Sequence, residues 1–204
     1  MRHSFAGIYP PIITPFAENG ALALDKLEAN MERWLSQPLD GVLVPGSNSE
    51  AVHLTRAELL AVWEVCGPML KEHDRYFIAG IRGDSTAEAI EQIGRAATAG
   101  ADAVLMLPPY FFKPAMTHEV LVTHFRMVAD RSPLPILLYN VPVFTGIDFA
   151  LETLLALAEH PQIVGMKDSS INVVKSAAVM ANQPDFQIFA GTGGALLPFL
   201  SLGA

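Results

Sequence analysis

Lys167 is the residue of this sequence whose type and position most favour covalent chemistry. It closes a short apolar run at residues 163–166, a pattern typical of a strand that is buried on both faces. Lysine is among the residues least often buried. One explanation is structural: the side chain reaches water or pairs with Asp168 beside it. The other is chemical, because an amine desolvated by an apolar site loses its proton more easily and can attack a ketone to form a Schiff base.

Tyr139 is a second candidate, near the end of the apolar run at residues 134–140. A core tyrosine with a satisfied hydroxyl is one interpretation. If Tyr139 instead lies at a strand end beside Lys167, its phenol could carry a proton to or from a reacting group.

Two loops carry residues that suit an anion. Ser47, Asn48 and Ser49 lie in the polar segment 46–50; they are either ordinary turn residues or a set of hydroxyls and backbone donors for a small carboxylate. Gly191 opens a glycine-rich segment at residues 191–194. These glycines could cradle a phosphate at a helix N-terminus, or could let the backbone approach a substrate closely.

The remaining chemistry-bearing residues predict no metal and no other cofactor. The sequence has no metal-ligand spacing. Four histidines fall on predicted loops or helices and are expected at the surface: His53, His118, His124 and His160. The single cysteine, Cys66, lies in an apolar helical pattern and is expected to be a small buried hydrophobe.

Composition narrows the class of protein. The chain has 204 residues, of which 51% are hydrophobic and 17% charged, so we expect a globular fold with a large core. The net charge is −8 with no basic run, which argues against nucleic acid as a partner. Residues 186–204 carry no charge, but their four glycines and Pro198 predict a strand, a loop and a helix start rather than a membrane span. No targeting segment is visible, so we expect a cytoplasmic protein, with a mitochondrial one as the alternative.

Strand-like and helix-like segments alternate along the chain and make seven strand–helix units. The predicted strands are apolar runs at residues 7–16, 40–45, 76–80, 103–107, 134–140, 162–166 and 187–190. The predicted helices have apolar residues at helical spacing, over residues 24–35, 55–72, 85–99, 117–129, 149–159, 173–181 and 195–202. The predicted N-caps are Asp25, Thr55 with Glu58, and Ser85 with Glu88.

Alternating apolar strands and helices predict a parallel sheet covered by helices, which occurs in two architectures. A doubly wound sheet usually has a glycine fingerprint after its first strand, and residues 14–16 here are Thr-Pro-Phe. A (β/α)8 barrel fits the regular repeat better, although such barrels typically need about 250 residues. We therefore expect one barrel-type domain over residues 1–204 that is incomplete. In such a barrel the site lies at the carboxyl ends of the strands, where the candidate residues fall.

These motifs, in their order and spacing, resemble the dihydrodipicolinate synthase / N-acetylneuraminate lyase family of class I aldolases. The resemblance covers essentially the whole chain. Its carriers are the segments 11–16, 46–50 (Gly-Ser-Asn-Ser-Glu), 139–142 (Tyr-Asn-Val-Pro) with Thr145-Gly146, and 164–168 (Val-Gly-Met-Lys-Asp).

The resemblance implies a TIM barrel, a Schiff-base lysine at Lys167 and a proton-relaying tyrosine at Tyr139. It implies carboxylate binding by the loop of Ser47 and Asn48, and it suggests homo-oligomers. It also implies an eighth strand and C-terminal helices that these 204 residues do not contain. A catalytically inactive product that acts only through partner binding therefore stays open as an alternative.

Departures from the family pattern narrow the expected substrate. Synthase members carry an arginine where this chain has Phe144, so the resemblance argues against dihydrodipicolinate synthesis. Phe111 replaces the second tyrosine of the strand-four loop and leaves Tyr110 as a substrate-binding candidate. Residues 132–169 look most like 4-hydroxy-2-oxoglutarate aldolases, which implies cleavage to pyruvate and glyoxylate. Synthase and sialic-acid-type lyase activities are the alternatives.

Overall fold

The computed structural model describes residues 4–82 and 84–203. The strands of this part of the chain are β1 (Gly41–Val44), β2 (Tyr76–Ile81), β3 (Ala103–Met106), β4 (Ile136–Asn140), β5 (Ile163–Asp168) and β6 (Gln187–Ala190). The α-helices are α1 (Leu24–Leu35), α2 (Arg56–Glu72), α3 (Thr86–Thr98), α4 (His118–Ala129), α5 (Pro142–Thr145), α6 (Leu151–Ala158), α7 (Val173–Asn182) and α8 (Leu196–Ser201). Six of the seven predicted strands and all seven predicted helices are confirmed.

The strands form one sheet whose order follows the chain, β1-β2-β3-β4-β5-β6. β1 pairs with β2, β4 with β5, and β5 with β6, each in parallel. Parallel neighbours need a crossover connection, and helices supply it along the chain. The predicted fold class, an incomplete α/β fold of the TIM-barrel type, is confirmed.

The predicted first strand, a short one with irregular ends within residues 7–16, is not formed as a strand. This segment makes only an isolated parallel bridge, between Pro11 and Leu43, with hydrogen bonds from Leu43 N to Pro10 O and from Ile12 N to Leu43 O. Proline has no backbone N–H to donate to a ladder. Pro10 therefore cannot donate toward β1, and Pro45, after β1, cannot donate back to this segment, so the pairing that the apolar pattern predicts stays short.

Helix starts follow local chemistry. Thr55 caps α2: its hydroxyl accepts from Glu58 N, and the Glu58 carboxylate accepts from Thr55 N at 2.8 Å. The N-cap predicted at Asp25 is wrong, because α1 already begins at Leu24 and its N-cap is Ala23. Ala23 N donates to Pro15 O at 3.0 Å, so the residue before the helix is held by the N-terminal segment.

The chain divides into two compact units. The smaller unit comprises residues 7–80 and 93–104, and the larger unit comprises the other described residues. The single domain predicted over residues 1–204 stays a prediction.

Each unit has its own apolar core. In the smaller unit Trp63 of α2 is fully buried, and its indole N–H donates to Val44 O at 3.0 Å. In the larger unit the rings of Phe125 and Phe149 lie 5.6 Å apart, and both side chains are buried. Burying each such side chain contributes roughly 1.5–3 kcal/mol. The helices of the described residues are all too short or too polar to cross a membrane.

Candidate active site

The pairing of β4 with β5 places the two predicted catalytic residues side by side. Tyr139 is the register partner of Lys167, and Asn140 is the register partner of Asp168. Successive side chains of a strand point to opposite faces of the sheet. Tyr139 and Lys167 therefore share one face at the carboxyl end of these strands, and Asn140 and Asp168 share the other.

Lys167 and Tyr139 are in contact. The Lys167 ammonium nitrogen, Nζ, lies 4.6 Å from the centroid of the Tyr139 ring. Tyr139 is buried, at 6% exposure, and Lys167 is half-buried. Aromatic rings attract cations through their faces, with an energy of about 0.5–2 kcal/mol. The arrangement suits a nitrogen that carries positive charge during a reaction.

Lys167 has no carboxylate partner among the described residues. Asp168, its alternative partner, is 1% exposed and turned to the other face. The Asp168 carboxylate accepts hydrogen bonds from Asn140 Nδ2 at 2.9 Å, Ser170 N at 2.9 Å and Ser176 Oγ at 3.0 Å. The structure thus disfavours the Lys167–Asp168 ion pair that the sequence left open.

A buried polar network, not predicted from the sequence, occupies this second face. Its members are Asn140, Asp148, Asp168, Lys175 and Ser176. Asn140 is fully buried and central: its amide donates to Asp148 Oδ1 at 2.8 Å as well as to Asp168, and its carbonyl oxygen accepts from Phe149 N at 3.2 Å.

Lys175 supplies the positive charge of the polar network. Its side chain is 8% exposed, and Nζ donates to Asp148 Oδ1 and, at 3.0 Å, to Phe149 O. Asn172 caps α7 by accepting from Lys175 N, which fixes the first turn that carries this lysine. The signal in the sequence was Asn140, a polar residue at the end of an apolar strand, where a buried amide needs partners.

The loop at residues 46–50 lies in the smaller unit. Ser47 to Ser49 form one turn of 3₁₀-helix, and Glu50 has a left-handed backbone with φ 55°. Ser49 is fully buried; its hydroxyl accepts from Gly46 N at 2.9 Å and donates to Ile12 O. Ser47 is half-buried and Asn48 is exposed. Ser49 therefore shapes the loop, while Asn48 has its side chain available.

Gly191 follows β6 and packs against the end of β5. Its N–H donates to Asp168 O at 2.8 Å. A Cβ at this position would lie 2.1 Å from Ser169 Oγ and 2.6 Å from Asp168 O, so only glycine fits without a shift. The next residue, Thr192, has a buried hydroxyl oxygen with no partner among the described residues. Tyr110, in the loop after β3, is half-buried.

His124 is not the surface residue that the sequence predicts. It is 6% exposed, and its Nδ1 lies 2.9 Å from Thr86 Oγ1 on α3, while Nε2 has no partner among the described residues. Burial lowers the pKa of His124 to about 4.

Cys66 is buried as predicted, and desolvation raises the pKa of its thiol to about 12, which leaves it protonated and unreactive. Among the described residues, no cluster of three or more His, Cys, Asp or Glu could hold a metal.

A helix-covered parallel sheet with its candidate residues at the carboxyl ends of the strands is typical of α/β proteins of the TIM-barrel type. Residues 4–204 match the profile of the dihydrodipicolinate synthetase family. The chain belongs to this family.

Curated relatives of two kinds are similar to the chain. A 4-hydroxy-tetrahydrodipicolinate synthase of an Exiguobacterium species is 35% identical over 201 residues, which cover 98% of this chain and 68% of the relative. A probable mitochondrial 4-hydroxy-2-oxoglutarate aldolase of Emericella nidulans is 36% identical over 191 residues, which cover 91% of this chain and 62% of the relative. Both are lyases of this family.

Solved structures agree on the fold. A dihydrodipicolinate synthase from Acinetobacter baumannii, crystallised with pyruvate, has a TM-score of 0.93 at 33% identity; the match covers 98% of this chain and 68% of that one. The dihydrodipicolinate synthase of Aquifex aeolicus has a TM-score of 0.92 at 31% identity, with the same coverage. The chain thus spans about two thirds of the length of its relatives.

Proposed function

We propose that this chain is a class I aldolase that forms a Schiff base between Lys167 and a 2-oxo acid of the pyruvate type. One observation carries the proposal: Lys167 Nζ lies against the Tyr139 ring, 4.6 Å from its centroid, while the neighbouring carboxylate of Asp168 is engaged on the opposite face. An amine that no carboxylate engages is available as the nucleophile of Schiff-base formation. The similarity to a synthase crystallised with pyruvate supports the substrate type.

In the proposed cleavage, the unprotonated Lys167 Nζ adds to the C2 ketone, and the carbinolamine loses water to give an iminium. Removal of the C4 hydroxyl proton breaks the C3–C4 bond; its electron pair moves into the iminium, and an aldehyde leaves. The resulting enamine takes a proton at C3. Hydrolysis then releases pyruvate and regenerates the lysine amine. Each step conserves atoms and electrons, and none requires a metal or redox cofactor.

Tyr139 has two roles in the proposal. Its phenol relays the proton of the C4 hydroxyl, the general acid–base task that contributes typically 10²–10⁴-fold in rate. Its ring, already beside Nζ, stabilises the cationic iminium by a cation–π interaction.

Further residues are assigned to substrate binding from the motifs they belong to. Ser47 and Asn48 are proposed to bind the carboxylate, with Ser49 supporting their loop from within. Tyr110 and Gly191 complete the proposed set. Gly191 also has a structural role, because the backbone packs so closely beside Asp168 that a side chain at this position would not fit without a shift.

The aldehyde that we favour is glyoxylate, formed from 4-hydroxy-2-oxoglutarate. Identity does not separate the alternatives, since the synthase and the aldolase relatives are 35% and 36% identical. Phe144, which is 66% exposed, stands where the synthase pattern has an arginine, and this departure disfavours the synthase. Synthase activity is the alternative. We further propose a homo-oligomer, in the cytoplasm or, like the named location of one relative, in the mitochondrion.

Borohydride reduction in the presence of pyruvate tests the proposal. The wild-type chain should gain the mass of a reduced pyruvate adduct, and Lys167→Ala should lose it. Lys26→Ala, which removes an exposed lysine of α1, is the matched control and should behave as wild type. Adduct formation that survives in Lys167→Ala would refute the assignment. An adduct absent from the folded wild type would favour an inactive, partner-binding chain instead.

A panel of aldehydes separates the substrate alternatives. Pyruvate is supplied with glyoxylate, aspartate semialdehyde or N-acetylmannosamine, and product formation is measured. The proposal expects the highest kcat/KM with glyoxylate, and preference for aspartate semialdehyde would assign the chain to the synthases.

A further inference from the structure

The buried polar network is the feature of the larger unit that the proposed mechanism does not use. Both N–H donors of the Asn140 side-chain amide and most acceptor positions of the Asp168 carboxylate are used within it. Asn140 is 0% exposed and Asp168 is 1% exposed. Such networks restrict side chains to one arrangement when all their members are satisfied.

The backbone joins the polar network directly to Lys167 and Tyr139, the proposed reactive pair, whose side chains define the reactive face of the strand pair. Asn140 follows Tyr139, and Asp168 follows Lys167, in two strands that are register partners. Two further hydrogen bonds hold the strand ends: Ser169 N donates to Asn140 O, and Gly191 N donates to Asp168 O, both at 2.8 Å. A shift of either network residue would therefore move its neighbour on the reactive face.

Stability alone gives a weak reason for such a network. Replacing a buried ionic or polar set by apolar residues of similar volume is often neutral or stabilising, because the desolvation of the charges offsets their attraction. A requirement for one defined geometry is a better reason at a site where a 1 Å misplacement can slow a reaction by about 100-fold.

We propose that Asn140 and Asp168 are positioning residues, which act through the β4 and β5 backbones to hold Lys167 against Tyr139. Asp148, Lys175 and Ser176 hold the two positioning residues in turn. The inference rests on the proposed Schiff-base function of Lys167. It assigns a role to residues that do not touch the reacting atoms.

The test compares two substitutions at one position. Asp168→Ala removes all three side-chain hydrogen bonds. Asp168→Asn keeps the shape: its carbonyl oxygen can accept from Asn140 and from Ser170 N, and the Ser176 hydroxyl can turn to accept from its amide. The readouts are the maximal rate of adduct formation at saturating pyruvate, the half-saturating pyruvate concentration, and the thermal midpoint Tm.

Thr86→Val is the matched control. It removes the hydrogen bond between Thr86 Oγ1 and His124 Nδ1 in the same unit, without contact to the polar network. It should lower Tm while the rate per folded molecule stays that of the wild type.

We expect Asp168→Ala to lower the maximal rate about 10–100-fold, with the half-saturating concentration changed less than about 3-fold. Asp168→Asn should restore the rate to within about 5-fold of wild type. If Asp168→Ala does not fold, Ser176→Ala, which removes one hydrogen bond to Asp168, carries the test with a smaller slowing of about 2–5-fold.

Two failures can be told apart. In the first, the wild type traps pyruvate, and Asp168→Ala (or Ser176→Ala in its place) traps it as fast as Thr86→Val does. This result overturns the positioning inference and leaves the Schiff-base function standing. If the folded wild type traps no pyruvate, the proposed function fails and takes this inference with it.

Discussion

The surroundings of a lysine differ between the two faces of the β4–β5 strand pair. On one face Lys175 is nearly buried and ion-paired with Asp148, with a second hydrogen bond to a backbone carbonyl. On the other face Lys167 is half-buried, has no carboxylate partner among the described residues, and contacts the ring of Tyr139.

The difference fits the roles that we propose, a structural one for Lys175 and a reactive one for Lys167. The Asp148 carboxylate engages the Lys175 ammonium in an ion pair and a hydrogen bond. The carboxylate closest to Lys167 in sequence, Asp168, is held on the far face by three hydrogen bonds. The strand's alternation thus keeps the acid and the amine apart although they are adjacent in the chain.

Replacing the hydroxyl on the reactive face should have the largest effect. Tyr139→Phe keeps the ring beside Lys167 but removes the proposed proton relay. We expect kcat for C–C cleavage to fall about 10²–10⁴-fold, while borohydride still traps pyruvate on Lys167. Steady-state kinetics and mass spectrometry check the two parts. A Phe variant with unchanged kcat would remove Tyr139 from the mechanism.

His124 is a buried base that, in contrast to Lys175, has a neutral hydrogen-bond partner, Thr86. Its pKa falls to about 4 in the folded chain, against about 6.5 in the unfolded one. The unfolded state therefore binds more protons between these values, and stability is lost as the pH falls from about 6.5 to 4. The loss amounts to up to ~3 kcal/mol.

The variant His124→Asn isolates this contribution, since its amide can still reach Thr86 but does not titrate. Denaturant unfolding at pH 7 and pH 4 should give a smaller decrease in the free energy of unfolding for the variant than for the wild type. Equal decreases would contradict the burial of a neutral imidazole.

A smaller effect is expected from the structural lysine. Lys175→Met leaves Phe149 O without its lysine donor and Asp148 with the Asn140 amide alone. We expect a cost of about 1 kcal/mol in the free energy of unfolding, because the Asp148 side chain is 46% exposed and regains water. Urea titration measures it, with Lys26→Met as the surface control. An adduct that is lost in Lys175→Met but kept in Lys167→Ala would show that the proposal assigns the reactive amine to the wrong lysine.

Local patterns in the sequence were sufficient for most of the fold. Apolar runs located β1 to β6 because a strand buried on both faces is apolar throughout, and the Thr55–Glu58 capping box fixed the start of α2. The pattern failed at residues 7–16, where prolines without N–H groups interrupt the pairing that an apolar run predicts. It also missed α5, whose four residues are too few for a periodic signal.

The candidate site was only half predictable. Lys167 and Tyr139 stand out as polar groups at the ends of apolar strands, and the register of β4 and β5 confirms that they are neighbours. The polar network joins residues up to 36 positions apart, from Asn140 to Ser176. No local rule pairs a strand amide with a helix lysine, so this half required the structure. The burial of His124 escaped prediction for a similar reason, since its partner Thr86 lies on another helix.

Peptide mapping of the reduced pyruvate adduct tests the central claim most directly. The wild-type chain is reduced with borohydride in the presence of pyruvate, digested with trypsin, and analysed by mass spectrometry. Modification blocks cleavage at the lysine that carries it. The account predicts one modified peptide, uncut after Lys167, with Lys175 unmodified. Modification at Lys175, or spread evenly over the exposed lysines, would contradict it.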